Sequence, residues 1–473
     1  MAPAAPGSLR CRLPACLGLF QGVLLLFFVL FVSYDEHADA ASQAVDADPG
    51  ANQLYSVFPF FQDVQVMLVV ALGLLLAFMP RYGLGALAYN FLLLNFSMQW
   101  ALVLQGLLYH FHHGKVHMGL HNILVAEFAA VTVLISIGAV LGRISPFQLL
   151  LAAFCEIPVY LASEWAIMTW LKVLDVGGTI TIHIFACYFG LGMSKALFRP
   201  GKQLRLRKEN PTYQSDLLSL TGMLSLWVFW PSFVAALCQP GDAQHRAVLH
   251  TILALSASAL TTFLASGLLE RRGKLSVGHL QNASLAGGVA IGALANMMIT
   301  PAAALALGSL SSLACVLGFK FLAPFLARRL GLLDQCGIHN LHGLPGIIGA
   351  AAGAVAILLA SEETYGHRFY QVFPARGPPG GNASLAASRP GAKPGRSASE
   401  QALFQAAGLA VAVGGSLLGG LLTGTLLRLP GLAQPPQQLC SDDALYFGIP
   451  DAAEASEPDG PAEEARLALK ERV

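Results

Sequence analysis

Charge is what this sequence has least of. Of its 473 residues only 12% are Asp, Glu, Lys or Arg, about half the share of an ordinary soluble protein. Its 28 basic and 27 acidic residues are too few to cover the roughly three soluble domains that such a length allows. An excess of one sign is missing too. The net charge of +1 lacks the basic face that nucleic acid requires. Cysteine is sparse: the 8 residues are scattered, with no C-x-x-C pair, so neither a disulfide framework nor a zinc site is indicated. No P-loop, H-E-x-x-H, G-x-S-x-G or dinucleotide fingerprint stands in a supporting context. The chain is therefore not expected to be an enzyme or to carry a cofactor.

What the sequence has in abundance is long apolar runs. Hydrophobic residues make up 55% of the chain and the mean hydropathy is +0.60. A helix needs about 20 apolar residues to cross a bilayer. Runs of that kind fall near 15–33, 60–79, 84–109, 122–141, 146–170, 177–197, 217–237, 247–268, 279–299, 303–324, 338–360 and 404–428. They are continuous rather than alternating, which excludes a β-barrel. The expected fold is all-α and polytopic, with twelve transmembrane helices. Arg10 and Arg12 precede the first run, which is long for a cleaved signal and is read as a retained anchor.

Basic residues set the orientation. With a cytoplasmic N-terminus (1–14), the short inner segments hold Arg81, Arg143, Lys195, Lys208, Arg271, Arg272, Arg328 and Arg329, among others, whereas the short outer loops hold only Lys115, Lys172 and Arg246. Both termini are then cytoplasmic, at the plasma membrane. The channel domain spans 15–428, with long outer loops at 34–58 and 361–403. The second loop is rich in Pro, Gly, Ala and Ser and contains the sequon at Asn382, a glycosylation candidate if extracellular. The tail at 429–473 is polar, with an acidic stretch from Asp451 to Glu464. It is expected to be mostly disordered and to bind a cytoskeletal or trafficking partner.

Ionisable residues inside a membrane are functional candidates. The sixth run opens with Asp175 and reaches His183. The eleventh opens with Asp334 and reaches His339 and His342. Each Asp can cap the start of its helix. Runs 2–6 and 7–11 are two blocks of five, so they run in opposite senses as inverted repeats. One extra helix precedes them and one follows. The two Asp–His openings therefore approach a central pore from opposite faces, and His183 and His339 are expected to meet near the midplane.

The strings FQDVQVM, QWALVLQG, SIGAVLGR, DVGGTITIHIFACYFGL, LWVFWPSF, LQNASLAGGVAIG and DQCGIHNLHGLPGIIGA resemble the Rh glycoprotein branch of the ammonium transporter (Amt/Mep/Rh) superfamily. The resemblance covers nearly the whole chain. It implies a homotrimer in the lipid bilayer with one pore per subunit. His183 and His339 would be the twin pore histidines, with His342 a second inner histidine. Phe128 and Phe233 would be the stacked gate. Asp175 would be the structural acid beside the recruitment site, and Glu164, Asp216 and Asp334 would line the vestibules. The substrate implied is NH3/NH4+, with methylammonium as analogue and CO2 as a second gas. The chain departs from the family pattern at Val234, Ser276 and Glu127, and the 34–58 loop lacks the branch's usual sequon.

Two other readings come from different classes. Loss of transport would make the chain a structural partner in an Rh membrane complex. The outer tract His110, His112, His113 and His117, followed by His121, has the composition of a zinc or copper site. No metal ladder continues it into the membrane.

Overall fold

The structure is a computed structural model and describes residues 7–42, 48, 50, 52–198, 207–377, 395–432, 434, 435 and 440–448. Asn382 lies outside the described residues. Eleven helices among them are long and apolar enough to cross a membrane. We number the helices α1 (Gly7–Phe31), α2 (Gln53–Leu76), α3 (Gly83–Tyr109), α4 (Leu120–Ala139), α5 (Pro146–Trp170), α6 (Thr179–Leu197), α7 (Tyr213–Ala235) and α8 (Asp242–Leu269). Then come α9 (Val277–Ala283), α10 (Ala286–Ile291), α11 (Pro301–Leu330), α12 (His339–Leu359) and α13 (Ala398–Leu426).

The remaining expected crossing, 279–299, is broken. It consists of the short helices α9 and α10 followed by turns. The break falls at Ser284–Leu285, and the glycines that follow it in α10 lie where neighbouring groups come close. A Cβ on Gly287 would lie 2.4 Å from the Ala254 carbonyl, and one on Gly288 would strike the Trp230 indole at 2.6 Å. These positions admit only backbone, and glycine weakens a helix interior. The twelve crossings of the sequence reading are thus eleven long helices and one interrupted one.

Helix packing follows the small residues. α13 lies along α6 and α12, and α11 lies along α8. A Cβ on Gly420 would stand 2.1 Å from the Phe189 carbonyl of α6. Without a hydrophobic drive between helices in lipid, such close backbone approach supplies the dispersion contacts that hold them. α2 packs against α7 and α4. Its ladder widens into a π-turn at Met67–Ala71, and the helix ends at Leu76 with Ala77 as its cap.

The small β-structure was not foreseen. β1 (Val32–Tyr34) runs parallel to β3 (Lys115–Met118), which pairs antiparallel with β2 (Phe111–His112). This sheet ties the end of α1 to the α3–α4 connection. We call its side of the bundle the hairpin face and the opposite side the basic face.

Part of the tail that reads as disordered is ordered against the basic face. Asp443 accepts hydrogen bonds from the Leu84 N–H (2.8 Å) and the Gly85 N–H (2.7 Å), so it caps α3 from the far end of the chain. The Asp443 N–H donates to the Arg81 carbonyl and the Ser441 N–H to the Gly142 carbonyl. Asp442 pairs with Arg81 at 2.8 Å. The Ser441 hydroxyl donates to Glu209, which also pairs with buried Arg143 at 2.7 Å.

Candidate functional site

Two turns position the site. Before α6, Gly178 adopts φ 69°, a left-handed conformation open to glycine. The turn brings Asp175 under the helix start. One Asp175 oxygen accepts from the Ile180 and Thr181 N–H groups (2.9 and 2.8 Å) and from the Thr181 hydroxyl (2.9 Å). Before α12, Gly337 adopts φ 76°. Asp334 there accepts from the N–H groups of Gly337, Ile338 and His339 at 2.9–3.0 Å. Both aspartates accept from orphan helix-start donors, Asp334 through both oxygens and Asp175 through one. The helices they start enter the bundle from opposite faces.

The histidine pairing differs from the sequence expectation. His183 meets His342, not His339. The two Nδ1 atoms are 3.1 Å apart, and the rings stack with centroids 5.1 Å apart and planes 15° from parallel. His339 instead lies edge-on to Tyr188 at 6.0 Å and lines a separate cavity with Asp334 and Asn340. Three residues advance a helix by about 4.5 Å, so only one of His339 and His342 can stand level with His183. The spacing carried the answer: Asp175 to His183 and Asp334 to His342 are both eight residues. Equal offsets from equivalent capping residues place equivalent side chains.

Phe128 and Phe233 do come together. Their centroids are 4.5 Å apart at 40°, and both side chains are buried. Phe233 lies 6.1 Å from the His183 ring. A cavity of ≈ 40 Å³ between gate and histidines is walled by Met67, Leu68, Val131, Leu226, Trp230 and Leu285. A second cavity of ≈ 40 Å³ continues toward the basic face past Ile338, Gln281 and Asn282. The two share His342, Leu341, Leu72, Leu75 and Ile135. The result is a narrow apolar passage interrupted by paired imidazoles.

Trp230 was missed at the sequence level. Its indole stacks on His183 at 5.8 Å and 17°, one turn before Phe233 on α7. That i, i+3 spacing was the available signal. The buried Trp230 Nε1 and His183 Nε2 have no hydrogen-bond partner among the described residues, so the lumen wall carries one unused donor and one unused imidazole nitrogen.

The remaining predicted residues are spread more widely. Glu164 accepts from the Tyr109 hydroxyl at 2.8 Å near the hairpin face. Asp216 lies in the first turn of α7, on the basic face. Ser276 caps α9 through the His279 N–H. His113 occupies the positive-φ turn between β2 and β3, and His117 contacts the Ser33 hydroxyl. Among the described residues no three His, Cys, Asp or Glu side chains converge as a metal site.

Fold and site together define a polytopic helical membrane protein with a narrow, largely apolar interior passage. The chain belongs to the Ammonium Transporter Family, whose model matches residues 23–442. It is 42% identical over 445 residues to ammonium transporter Rh type B of Danio rerio, covering 94% of each chain. It is 41% identical to the protein of that name from Sus scrofa, again covering 94% of each. Among solved structures it resembles Nitrosomonas europaea Rh50 with TM-score 0.69 and 31% identity, covering 89% of this chain and 97% of that one. Candida albicans Mep2 shares the fold with TM-score 0.66 at 18% identity, over 86% and 91% of the two chains.

Proposed function

We propose that this chain moves ammonium nitrogen across a membrane by admitting neutral NH3 to the passage and leaving the proton behind. The observation that carries the reading is the His183–His342 pair set in an apolar lumen behind the Phe128–Phe233 gate. A bare ion in such a lumen faces a Born penalty of tens of kcal/mol. Removing a proton from a base whose pKa lies about two units above neutral costs only ~2.7 kcal/mol. Sodium and potassium have no proton to lose, so the same lumen rejects them.

The paired imidazoles then supply what the hydrocarbon lacks. With one Nδ1–H donating to the other Nδ1, each ring keeps Nε2 for a passing molecule. NH3 can donate to an imidazole nitrogen and accept from an N–H. Trp230 supplies such an N–H beside His183. The gate rings exclude bulk water and offer π faces to a cation awaiting deprotonation.

Relatives named for Rh type B ammonium transport span the same length as this chain, and the Rh50 structure is described as belonging to a family of channels. A homotrimer at the plasma membrane, with both termini cytoplasmic, is part of the proposal, as is passage of CO2 through the same dry lumen. The test is flux into proteoliposomes. Internal pH should rise rapidly on an inward ammonia gradient, and the effect should vanish in His183→Ala. Protein-bearing vesicles no faster than empty ones would overturn the reading.

A further inference from the structure

Helix α2 makes two polar contacts that the passage itself does not use. The Ser232 hydroxyl donates to an Asp63 carboxylate oxygen, and Ser232 immediately precedes Phe233. The Gln65 amide N–H donates to a Glu127 carboxyl oxygen, and Glu127 immediately precedes Phe128. Asp63 and Gln65 are two residues apart, so they project about 200° around the helix from one another. One therefore reaches α7 and the other α4. Val64 between them is fully buried. The ladder widens into its π-turn only after this point, at Met67–Ala71.

We propose that α2 is a strut that sets the aperture of the phenylalanine gate. Asp63 and Gln65 are its positioning residues, acting through Ser232 and Glu127. Each strut bond ends on the residue next to a gate ring, so a shift of either backbone moves that ring. Four observations converge: two bonds, two different helices, one gate ring beside each bond, and one source helix between them. A helix that only needed fastening could be fastened anywhere along its length. Here both bonds fall at the level of the gate. Breaking either bond removes a fixed link between α2 and the helix that carries a gate ring, so the two helices can shift apart.

The inference rests on the conduction reading, because an aperture matters only in a conduit. The experiment separates the two. Osmotic water permeability and ammonia permeability are measured in the same proteoliposomes for Asp63→Ala, Ser232→Ala, Gln65→Ala and Asp63→Asn. A loosened gate should raise the water-to-ammonia ratio in the first three by about threefold, the Boltzmann factor of one typical helix–helix hydrogen bond in a membrane. Asp63→Asn keeps an oxygen for the Ser232 hydroxyl and should restore the ratio. The double variant Asp63→Ala/Ser232→Ala should match either single, because both remove the same bond. Ser232→Ala changes little volume and carries the test if Asp63→Ala fails to fold. An unchanged ratio in folded Ser232→Ala and Gln65→Ala would overturn the strut, as would an Asp63→Asn ratio equal to that of Asp63→Ala. If the unmutated protein passes no ammonia, the conduction reading fails instead, while water permeability still reports the aperture.

Discussion

His183 and His342 stand with their Nδ1 atoms 3.1 Å apart. Only one proton fits between two nitrogens at that distance, so one ring donates and the other accepts. The pair is asymmetric at any instant, although the helices that carry it approach as opposed equivalents.

Substitution of His342 should therefore cost far more than substitution of His339. Ammonia flux through His342→Ala is expected to fall about tenfold or more, equivalent to ~1.4 kcal/mol on the barrier. His339→Ala should retain most of the flux, because His339 lies against Tyr188 and outside the passage. Stopped-flow pH traces from vesicles of matched protein content decide between them. Equal losses would contradict the assignment.

Asp175 should matter for stability before it matters for transport. Its carboxylate holds two backbone N–H groups and one hydroxyl at the start of α6. Asp175→Ala leaves buried donors without partners, at about 1–3 kcal/mol for each group stranded. Asp175→Asn retains one acceptor oxygen and should lose less. Thermal unfolding of the detergent-solubilised protein measures both, with the order wild type, Asn, Ala.

Capping by Asp443 makes the tail part of the bundle. Asp443→Ala should cost about 1 kcal/mol, the usual loss for a helix cap, and should release residues 440–448 from the basic face. Hydrogen exchange at the Leu84 and Gly85 amides should quicken in the variant. Unchanged protection there would show that the tail does not hold α3.

A pH effect is expected at the end of α8. Glu270 accepts from the Lys320 ammonium at 2.9 Å, and that bond holds its carboxyl below the ordinary range. A lowered carboxyl pKa means that the unfolded chain binds more protons in acid. The stabilisation is complete above the ordinary carboxylate value. It is lost as pH falls through the shifted one. Solvent screening keeps its size near roughly 0.2–1 kcal/mol. The difference in melting temperature between wild type and Glu270→Gln should be present at pH 7 and shrink in acid below about pH 4. A gap that widens in acid would contradict the pairing.

Much of this architecture is legible in the residues, because lipid forces a simple code. Long apolar runs mark the crossings, and the Asp–x7–His offsets at Asp175 and Asp334 mark where each inward helix begins. Counting offsets singles out His342. Choosing the nearer histidine does not. Other features leave no such trace. The break between α9 and α10 falls at Ser284–Leu285, which carry neither proline nor glycine to mark it. The docked tail is polar, and its order comes from Arg81, Gly142 and Glu209, which are remote in sequence. The gate pair Phe128 and Phe233 is invisible to hydropathy in a chain with 27 phenylalanines. Only the resemblance to a family singled them out.

The most direct test of the central claim records internal pH and membrane current together while a proteoliposome meets an ammonium gradient. The account predicts a rapid pH change in wild-type vesicles, carried by NH3, that is lost in His342→Ala and in His183→Ala. Sodium and potassium gradients should give no current in any of the three proteins. Rapid flux that survives both substitutions, or a potassium current through the wild type, would contradict it.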